Sequence, residues 1–540
     1  MSTNSITHPS ARPLPVRGYL QNGVKIEPLA DRWYAWSHLM APAQHAMNVA
    51  FRYLPIMKSF IASPSVHLAA SRDPQMFGGP FVSLDFQDVP AARAYVQAME
   101  ELHAISISFA HEFREFDHSL TQSASGFALR AWYDRLPPQL RGNVELTYDL
   151  NNNPRIRILE EILDLADLNV EQGQEILLHR QHDSERPFFL STPRIGRLDG
   201  LLARRPFSSE AVRRLCTSRN NETDVVGLAN ELGVAASDLA AFFEAEPTAA
   251  RSSRAFDGEG VRIRYFGHAC VLVETRNTSI LIDPTFSWDT EDELAHFTYF
   301  DLPPKIDILL ISHSHHDHFN PESLIQLRGR VGRVVVPAPN RGDLADPSLA
   351  RILRKLGYSA VETLYSLDQL KIPDGGVTSL PFTGEHADLD ILSKQCFLIE
   401  ILGRRIAFFI DSDAIDSDVY ARLVPQLLGL DIMFVGMECN GAPLSWLYGP
   451  LSSSQINKRN DESRRLSGAN CEQAWRLTER IQPRRAFVYA MGQEPWMRFM
   501  MGLNYSPNSI QISESNGYVA KCQAAGIEAA RLHGKMETIL

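Results

Sequence analysis

The segment SHSHHDHFNP, from Ser312 to Pro321, largely decides how the rest of the chain is interpreted. It directly follows the apolar run IDILLI (Ile306–Ile311), which is typical of a buried β-strand. The segment holds four side chains of the types that bind divalent metals: His313, His315, Asp317 and His318. The first two can hold one metal ion, and the last two can reach a second. The pattern therefore predicts a metal site in the loop at the end of a strand.

The composition of the chain excludes several classes of function. With 540 residues the chain is longer than one hydrophobic core usually supports, which predicts at least two domains. A net charge of −11 leaves no electrostatic footprint for nucleic acid, and no apolar run is long enough for a membrane span. The N-terminus lacks the apolar core of a signal peptide, and the six cysteines are widely spaced. We therefore expect a cytoplasmic protein with reduced thiols.

A segment rich in Ser, Ala, Gly and charge, Glu246–Gly260, separates two regions of different character. Residues 1–250 mix helical and strand patterns, including a helical pattern at residues 156–169, and they predict a large α+β domain. In residues 251–540 strands and helices alternate, which is typical of two sheets sandwiched between helices. We thus predict an α/β chain with an N-terminal domain over 1–250 and a metal-binding domain over 251–540.

The second domain opens with two strand patterns, VRIRYFGHACVLVET (Val261–Thr275) and TSILIDP (Thr278–Pro284), which predict a β-hairpin. Together with the H-x-H-x-D-H pattern, this opening resembles the metallo-β-lactamase superfamily. The resemblance implies an αββα sandwich. It also implies that His268 and Asp283 support the metal site from outside the ligand shell.

Two features downstream depart from the hydrolytic members of that superfamily. Hydrolytic members place a histidine directly after a glycine, whereas TGEHADLD (Thr383–Asp390) puts Glu385 there and His386 one position later. Because adjacent residues usually point in different directions, we expect one of these two side chains to bind metal. The last histidine of the usual pattern is also missing, since the strand RAFVYAMGQEPW has Tyr489 and Met491 where it would lie.

The remaining candidates make the site rich in carboxylates. Asp411 ends the strand pattern RIAFFID (Arg405–Asp411) and is well placed to bridge two metals. The expected shell contains three neutral imidazoles and three carboxylates: His313, His315, His318, Asp317, Glu385 and Asp411. Hard anionic oxygen donors suit iron, although zinc also accepts carboxylates. With His386 in place of Glu385 the shell would be closer to that of a zinc enzyme.

These departures resemble one branch of the superfamily, the dinuclear-iron β-hydroxylases of non-ribosomal peptide biosynthesis. Their type member is the chloramphenicol-pathway amino-acid β-hydroxylase. The resemblance runs along most of the chain and is most specific in Gly384–His386 and in VGMECNG (Val435–Gly441). It implies that Asp411 bridges the irons, and that Glu438 lies beside them with a role in gating or proton handling. It assigns the other ligands to the two irons in two groups: His313, His315 and Glu385, and then Asp317 and His318.

The resemblance also implies an activity and partners. Enzymes of this branch are O2-dependent non-haem di-iron monooxygenases. They hydroxylate the β-carbon of an amino acid tethered as a thioester to a peptidyl carrier domain of a non-ribosomal peptide synthetase. They need two oxygen-bridged iron ions, O2 as co-substrate and an external two-electron donor, which implies an electron-transfer protein as partner. We expect the N-terminal domain to serve in carrier docking or in a homodimer.

Two other functions are compatible with the metal motif. One is a zinc- or manganese-dependent hydrolase of a lactone, phosphoester or thioester, which rests on the superfamily pattern alone. The other is a flavodiiron-type O2 or NO reductase, although the sequence lacks a flavodoxin-like phosphate loop.

Two further segments could serve the substrate. The polar stretch Pro443–Gly468 is expected to wall the substrate cleft, since long loops in compact domains are usually functional or disordered. The arginine-rich stretch Arg204–Arg219 is a candidate for docking an acidic carrier domain, although most charge clusters are merely solvated.

Overall fold

The structure is a computed structural model that describes residues 16–540, except 74, 75, 77, 166, 167, 169, 248–254, 290–292, 503 and 504. Within the described residues, two seven-stranded sheets form the C-terminal half of the chain. The apolar faces of these sheets pack against each other in a single core. Helices cover the outer face of each sheet, which confirms the αββα sandwich.

The first sheet joins four parallel strands to three antiparallel ones. In spatial order its strands are Val361–Leu364, Val331–Pro337, Ile306–Leu310, Ser279–Ile282, Cys270–Glu274, Arg262–Gly267 and Met536–Ile539. The helices Pro321–Leu327 and Leu349–Lys355 share the core on its outer face with the N-terminal domain.

The second sheet has a similar mixed arrangement. In spatial order its strands are Gln369–Ile372, Gly375–Leu380, Cys396–Ile401, Arg404–Phe408, Ile432–Gly436, Arg485–Tyr489 and Glu528–Arg531. The helices that accompany this sheet are Ser417–Ala421, Val424–Leu427, Cys471–Ile481 and Ile510–Ala524.

The parallel strands explain where the site forms. A parallel strand covered on both faces is apolar throughout, as in Ile306–Leu310, where only Asp307 is not fully buried. Polar side chains can therefore gather only where such strands end. The carboxyl ends of parallel strands in an open sheet lie at one edge, which is the usual place for a binding site.

The N-terminal domain is mixed α+β, as predicted. Its strands form a three-stranded sheet (Thr223–Asp224, Arg17–Leu20, Phe243–Glu244), a four-stranded sheet (Trp33–Tyr34, Lys25–Ala30, Gln174–His179, Leu201–Ala203) and the hairpin Val144–Tyr148 with Pro154–Ile158. Its α-helices are Ser37–Met40, Pro42–Asn48, Leu54–Ala62, Pro64–Ala70, Val89–Leu102, Ala104–Ser123, Arg130–Tyr133, Glu160–Leu163, Glu210–Thr217, Val225–Leu232 and Ala236–Ala240.

Buried polar contacts join this domain to the metal-binding domain. Arg186 forms two hydrogen bonds with Glu322, at 2.7 and 3.3 Å, and the Tyr34 hydroxyl donates to the same carboxylate at 2.9 Å. The Ser37 hydroxyl donates to the backbone oxygen of Ser314 at 2.7 Å, inside the metal motif. The position of the motif therefore depends on the N-terminal domain.

Three local expectations from the sequence are corrected by the structure. Residues 156–169 are not one helix, because Ile156 and Ile158 alternate inward on the strand Pro154–Ile158. Residues 261–275 form two strands, with a turn at His268. The stretch 443–468 is ordered and contains the helices Leu444–Tyr448 and Lys458–Ser463.

Some expectations stay open. The middle of the predicted linker, residues 248–254, lies outside the described residues, and the domain boundaries stay a prediction.

All six cysteines are unpaired. In the part of the chain that the structure describes, no helix is both long and apolar enough to cross a membrane.

Candidate metal centre

The predicted ligands come together at the carboxyl ends of strands from both sheets. The six residues of the expected shell are all buried: His313, His315, Asp317, His318, Glu385 and Asp411. His315 Nδ1 lies 2.7 Å from Glu385 Oε1, and His318 Nε2 lies 2.8 Å from Asp411 Oδ2. His313 Nε2 lies between the two pairs, 3.9 Å from Glu385 Oε2 and from Asp411 Oδ2. This arrangement offers two adjacent positions for a metal ion.

The ligand atoms fall into overlapping groups whose members lie within 4.8 Å of one another. At the first position the group is His313, His315, Glu385 and His386. A second group, His313, His318 and Asp411, links this position to the next. The third group contains His268, Asp317 and His318. His313 and Asp411 thus lie between the two positions.

Several buried polar atoms at the centre have no hydrogen-bond partner among the described residues. They are His313 Nε2, Asp411 Oδ1 and His386 Nε2. Leaving a buried polar atom unsatisfied costs about 1–3 kcal/mol, so such atoms are rare in folded proteins. Here they converge, and they are imidazole nitrogens and a carboxylate oxygen. The residues present therefore fit a pair of metal ions.

Hydrogen bonds outside the shell set which nitrogen of each histidine faces the centre. The Ser312 hydroxyl donates to Asp283 Oδ2 at 2.6 Å, so its lone pairs accept from His313 Nδ1 at 2.9 Å. His318 Nδ1 donates to the same carboxylate at 2.8 Å. In the neutral form of each ring Nε2 then carries no proton, and in both rings this atom points to the metal positions. Partners of this kind fix ring orientation in metal sites.

His268 lies on a tight turn with φ 49°, beside the second position. Its Nδ1 accepts a hydrogen bond from the backbone N–H of Gly492 at 3.1 Å. A neutral ring then carries its proton on Nε2, which lies 3.1 Å from Asp317 Oδ2. In this tautomer His268 donates to Asp317, one of the expected ligands, and Nε2 has no free lone pair for a metal ion. The geometry favours the supporting roles expected for His268 and Asp283.

Glu385 and His386 both point into the centre, although only one of these neighbouring side chains was expected to bind metal. The left-handed backbone of Glu385, φ 65°, turns the chain so that Glu385 Oε2 lies 2.6 Å from His386 Nδ1. The imidazole of His386 also stacks on that of His315, with ring centroids 4.4 Å apart. The expectation that neighbouring side chains diverge fails here because of this backbone conformation.

The electrostatics of the first position favour metal binding. Burial opposes ionisation of Glu385, but His315 and His386 hold its pKa well below the usual range. Burial lowers the pKa of His386 to about 4. The carboxylate is thus ionised and the imidazole neutral near pH 7, which are the forms that bind metal.

The second position has a different charge balance. Burial raises the pKa of Asp411. Burial also opposes the charged form of His318, but Asp411, Asp317 and Asp283 raise its pKa well above the usual range. Three carboxylates around one imidazole retain a proton, and a divalent cation can replace that proton.

Glu438 lies just beyond the strand Ile432–Gly436 and lines a pocket of about 40 Å³ next to the metal positions. Burial raises the pKa of its carboxyl group well above the usual range, and Asp317 and Asp411 raise it further. The side chain of Tyr505 lies close to this carboxyl group. Glu438 can therefore hold a proton close to the centre.

Two tyrosines complete the surroundings. Tyr489 ends its strand where a histidine was expected, and its buried hydroxyl has no hydrogen-bond partner among the described residues. The Tyr448 hydroxyl lies 3.1 Å from His315 Nε2, on the ring edge opposite Glu385. No sequence pattern indicates Tyr448, because it lies in the poorly periodic stretch 443–468.

Fold and site together define a metallo-β-lactamase-type sandwich with a carboxylate-rich dinuclear metal centre. A family model described as the diiron non-heme beta-hydroxylase N-terminal domain matches residues 19–247, and one for a beta-lactamase superfamily domain matches residues 262–381. A Streptomyces venezuelae protein named 4-amino-L-phenylalanyl-[CmlP-peptidyl-carrier-protein] 3-hydroxylase is 34 % identical over 526 residues, which are 96 % of this chain and 99 % of that protein. The chain therefore belongs to the diiron β-hydroxylases.

Solved structures agree with this assignment. The crystal structure of CmlA, a diiron beta-hydroxylase from Streptomyces venezuelae, has a TM-score of 0.90 at 33 % identity and covers 97 % of this chain and 99 % of that chain. A variant of CmlA gives a TM-score of 0.88 at 33 % identity, covering 97 % and 100 % of the two chains. The protein is a hydroxylating enzyme that uses two iron ions and O2, as predicted, and the alternative of a hydrolase is not favoured.

Proposed function

We propose that this enzyme hydroxylates the β-carbon of an amino acid tethered as a thioester to a peptidyl carrier domain of a non-ribosomal peptide synthetase. The observation that carries the proposal is the similarity, along 96 % of the chain, to a hydroxylase named for a carrier-bound aminoacyl substrate. A carboxylate-rich metal centre beside a small pocket supports it.

We assign the metal ligands from the family and from the geometry of the centre. As the family resemblance implies, His313, His315 and Glu385 would hold one iron, and Asp317 and His318 would hold the other; each set lies within one cluster of candidate ligand atoms. Asp411 would bridge them, since its Oδ2 lies 2.8 Å from His318 Nε2 and 3.9 Å from His313 Nε2. When bound, the two irons supply the two-electron chemistry by which O2 is reduced and a C–H bond is oxidised. The roles of Glu385 and His386 are separable by substitution, as described below.

The surrounding residues keep this centre in one arrangement. Asp283 and Ser312 orient two ligand imidazoles, and Tyr448 holds the far edge of a third. Apolar side chains of Leu447, Leu466, Met500 and Met501 line the pocket and would limit the water around a bound substrate. Exclusion of water protects reactive states from side reactions.

Glu438 is the proposed proton-handling group. Its carboxyl lies in the same pocket as Asp411 and Asp317, and burial beside these carboxylates raises its pKa, which favours the protonated form. A protonated carboxyl at this place can donate a proton to a group bound at the centre, and Tyr505 lies beside it.

The remaining partners follow from the same proposal. Reduction of the irons requires an electron-transfer protein, and we propose a homodimer formed through the N-terminal domain. Sedimentation of the iron-loaded protein measures its oligomeric state and so tests the homodimer directly.

Mass spectrometry of aminoacyl-loaded carrier domains tests the proposed function. The iron-loaded enzyme is incubated with a panel of such carriers, O2 and a chemical reductant. We expect one aminoacyl thioester to gain the mass of one oxygen atom, with the new hydroxyl on its β-carbon. Free amino acids that gain oxygen while all carriers stay unchanged would refute a carrier-bound substrate.

A further inference from the structure

A cavity of about 700 Å³ opens between the N-terminal domain and the metal-binding domain. Volumes of this order are typical of ligand sites. The hairpin Val144–Tyr148/Pro154–Ile158 forms one side of it, and the stretch 443–468 forms another. Its floor includes Tyr448. The hydroxyl of this residue lies 3.1 Å from Nε2 of His315, one of the proposed metal ligands. The cavity therefore leads from the surface to within one side chain of the metal centre.

The helix Leu444–Tyr448 is the wall between the cavity and the metal pocket. Leu444 and Tyr448 line the cavity, whereas Trp446 and Leu447 line the metal pocket. A long, thin group that fills the cavity would end against this wall. Rotation of the Tyr448 side chain would then let the end of that group reach the metal positions.

The lining of the cavity suits a neutral polar chain. Four arginines face four aspartates there: Arg155, Arg157, Arg341 and Arg464, with Asp117, Asp343, Asp388 and Asp390. The remaining polar groups include the amides of Asn340, Gln455 and Asn460. These amides can pair with the amide groups of an extended arm. The cavity itself thus carries no excess charge.

The outer edge of the cavity, in contrast, carries an excess of positive charge. We name residues 127–157 the rim; this segment contains five arginines and three carboxylates, a net charge of +2 in a chain whose total is −11. Tyr148 donates a hydrogen bond to the backbone oxygen of Phe127, so the hairpin and the preceding segment form one surface. Phe127 is 81 % exposed and Leu150 is fully exposed on it.

The rim arginines next to the cavity are available to a partner. Arg155 and Arg157 pair with Asp390 and Glu145 at 3.4 and 2.9 Å, but each arginine is about half exposed, at 52 % and 51 %. Exposed pairs of this kind contribute about 0–1 kcal/mol, so an acidic partner can replace them at little cost.

We propose that the rim is the docking surface for an acidic peptidyl carrier domain, and that the cavity takes its phosphopantetheine arm. This proposal rests on the proposed function. The rim combines basic side chains with two exposed apolar ones. This combination is complementary to an acidic domain that associates reversibly. The phosphate at the root of the arm meets Arg155 and Arg157 at the mouth, the amides lie along the neutral lining, and the acyl group ends at Tyr448.

The arginine-rich stretch 204–219 is a weaker candidate for docking. Arg204 pairs with Glu175, Arg213 with Glu210, and Arg214 with Glu231. Arg219 is buried and donates to backbone oxygens of its own domain. These side chains already serve the N-terminal domain, and none of them lines the cavity.

Direct binding tests the surface independently of catalysis. The probe is a phosphopantetheine-bearing carrier domain, labelled for fluorescence anisotropy. It is the native partner where aminoacyl oxygenation has identified one, and otherwise the carrier protein of the Streptomyces venezuelae relative. The full-length, iron-loaded enzyme is compared with Arg155→Glu/Arg157→Glu and with Phe127→Ser/Leu150→Ser. Arg213→Glu, also an exposed arginine of this domain, is the matched control.

We expect Kd to rise at least tenfold in both double variants and less than twofold in the control. We also expect Kd of the unaltered enzyme to rise with salt, and to rise less in the arginine variant, because screening acts on the charges it has lost. Unchanged Kd in both double variants, or no binding by the unaltered enzyme, would overturn the proposal. Normal binding without oxygenation of any acyl group would instead refute the proposed function and leave the surface intact.

Discussion

Replacement of Arg186 by methionine is expected to destabilise the folded enzyme by about 3–5 kcal/mol. Arg186 is buried between the two domains, and its guanidinium lies within 3.6 Å of three carboxylates: Glu322, Glu27 and Asp183. Methionine keeps much of the side-chain volume and removes the charge. The variant therefore leaves buried carboxylates without their common cation.

The size of the effect follows from which partners remain. Glu27 keeps Arg194 at 2.6 Å, so its loss is moderate. Among the described residues, Glu322 then keeps the neutral Tyr34 hydroxyl as a donor and loses the cation that lies 2.7 Å from it, and burial already raises its pKa. Without Arg186 that pKa rises further. A carboxyl whose folded pKa lies above its unfolded value loses stability as pH rises between the two values. The variant should thus be most destabilised at alkaline pH.

Urea unfolding followed by circular dichroism at pH 5.5 and pH 8 measures both features. We expect a larger loss at pH 8 than at pH 5.5, and partial recovery at pH 8 in the double variant with Glu322→Gln. Arg213→Met, which removes an exposed pair, should change stability by less than about 0.5 kcal/mol. A loss below about 1 kcal/mol for Arg186→Met, or an equal loss at both pH values, would refute the reasoning.

Three further predictions concern single side chains. Glu385→Ala should lower the iron content measured by elemental analysis, whereas His386→Ala should keep it; the reverse result would favour a zinc-like shell. Tyr448→Phe removes a hydrogen bond that orients His315 and should lower iron affinity about 10- to 100-fold, which metal competition measures. Burial raises the pKa of Glu160 to about 7. The folded state therefore binds its proton more tightly between about pH 4.5 and 7, and Glu160→Gln should raise stability above pH 7 by at most about 3 kcal/mol in urea unfolding. Equal unfolding midpoints of Glu160→Gln and the unaltered enzyme at pH 8 would contradict this.

The metal motif was predictable because its information is local. Strand and loop are adjacent in the chain, so His313, His315 and His318 could be identified from spacing alone. Asp411 was also accessible, since it directly follows an apolar strand pattern. The resemblance to a family supplied Glu438 and the choice of iron, which no spacing contains.

The parts that the sequence missed depend on contacts between distant residues. Tyr448 reaches His315 across 133 positions of the chain. Asp31 accepts hydrogen bonds from His45 and His103, at 2.6 and 2.8 Å, in a buried cluster that no motif announced. Such partners are set by how the domains pack, and periodicity carries no information about packing.

Two local errors have local causes. The helical pattern at 156–169 arose because apolar residues at Ile156, Leu159 and Leu163 fit a helix, while the structure pairs the first of them in a hairpin. The turn at His268 was missed because apolar residues continue on both sides of it. There Gly267 has φ 117°, and a Cβ atom at that position would lie 2.7 Å from the Trp496 ring.

Metal content and O2 uptake of the same sample test the central claim most directly. The protein is loaded with iron, reduced and mixed with O2 in the presence of its carrier-bound substrate. The structure and the family predict two irons per chain and one hydroxylated product for each O2 consumed. Two zinc ions per chain after iron loading, with no uptake of O2 by the reduced protein, would contradict the account.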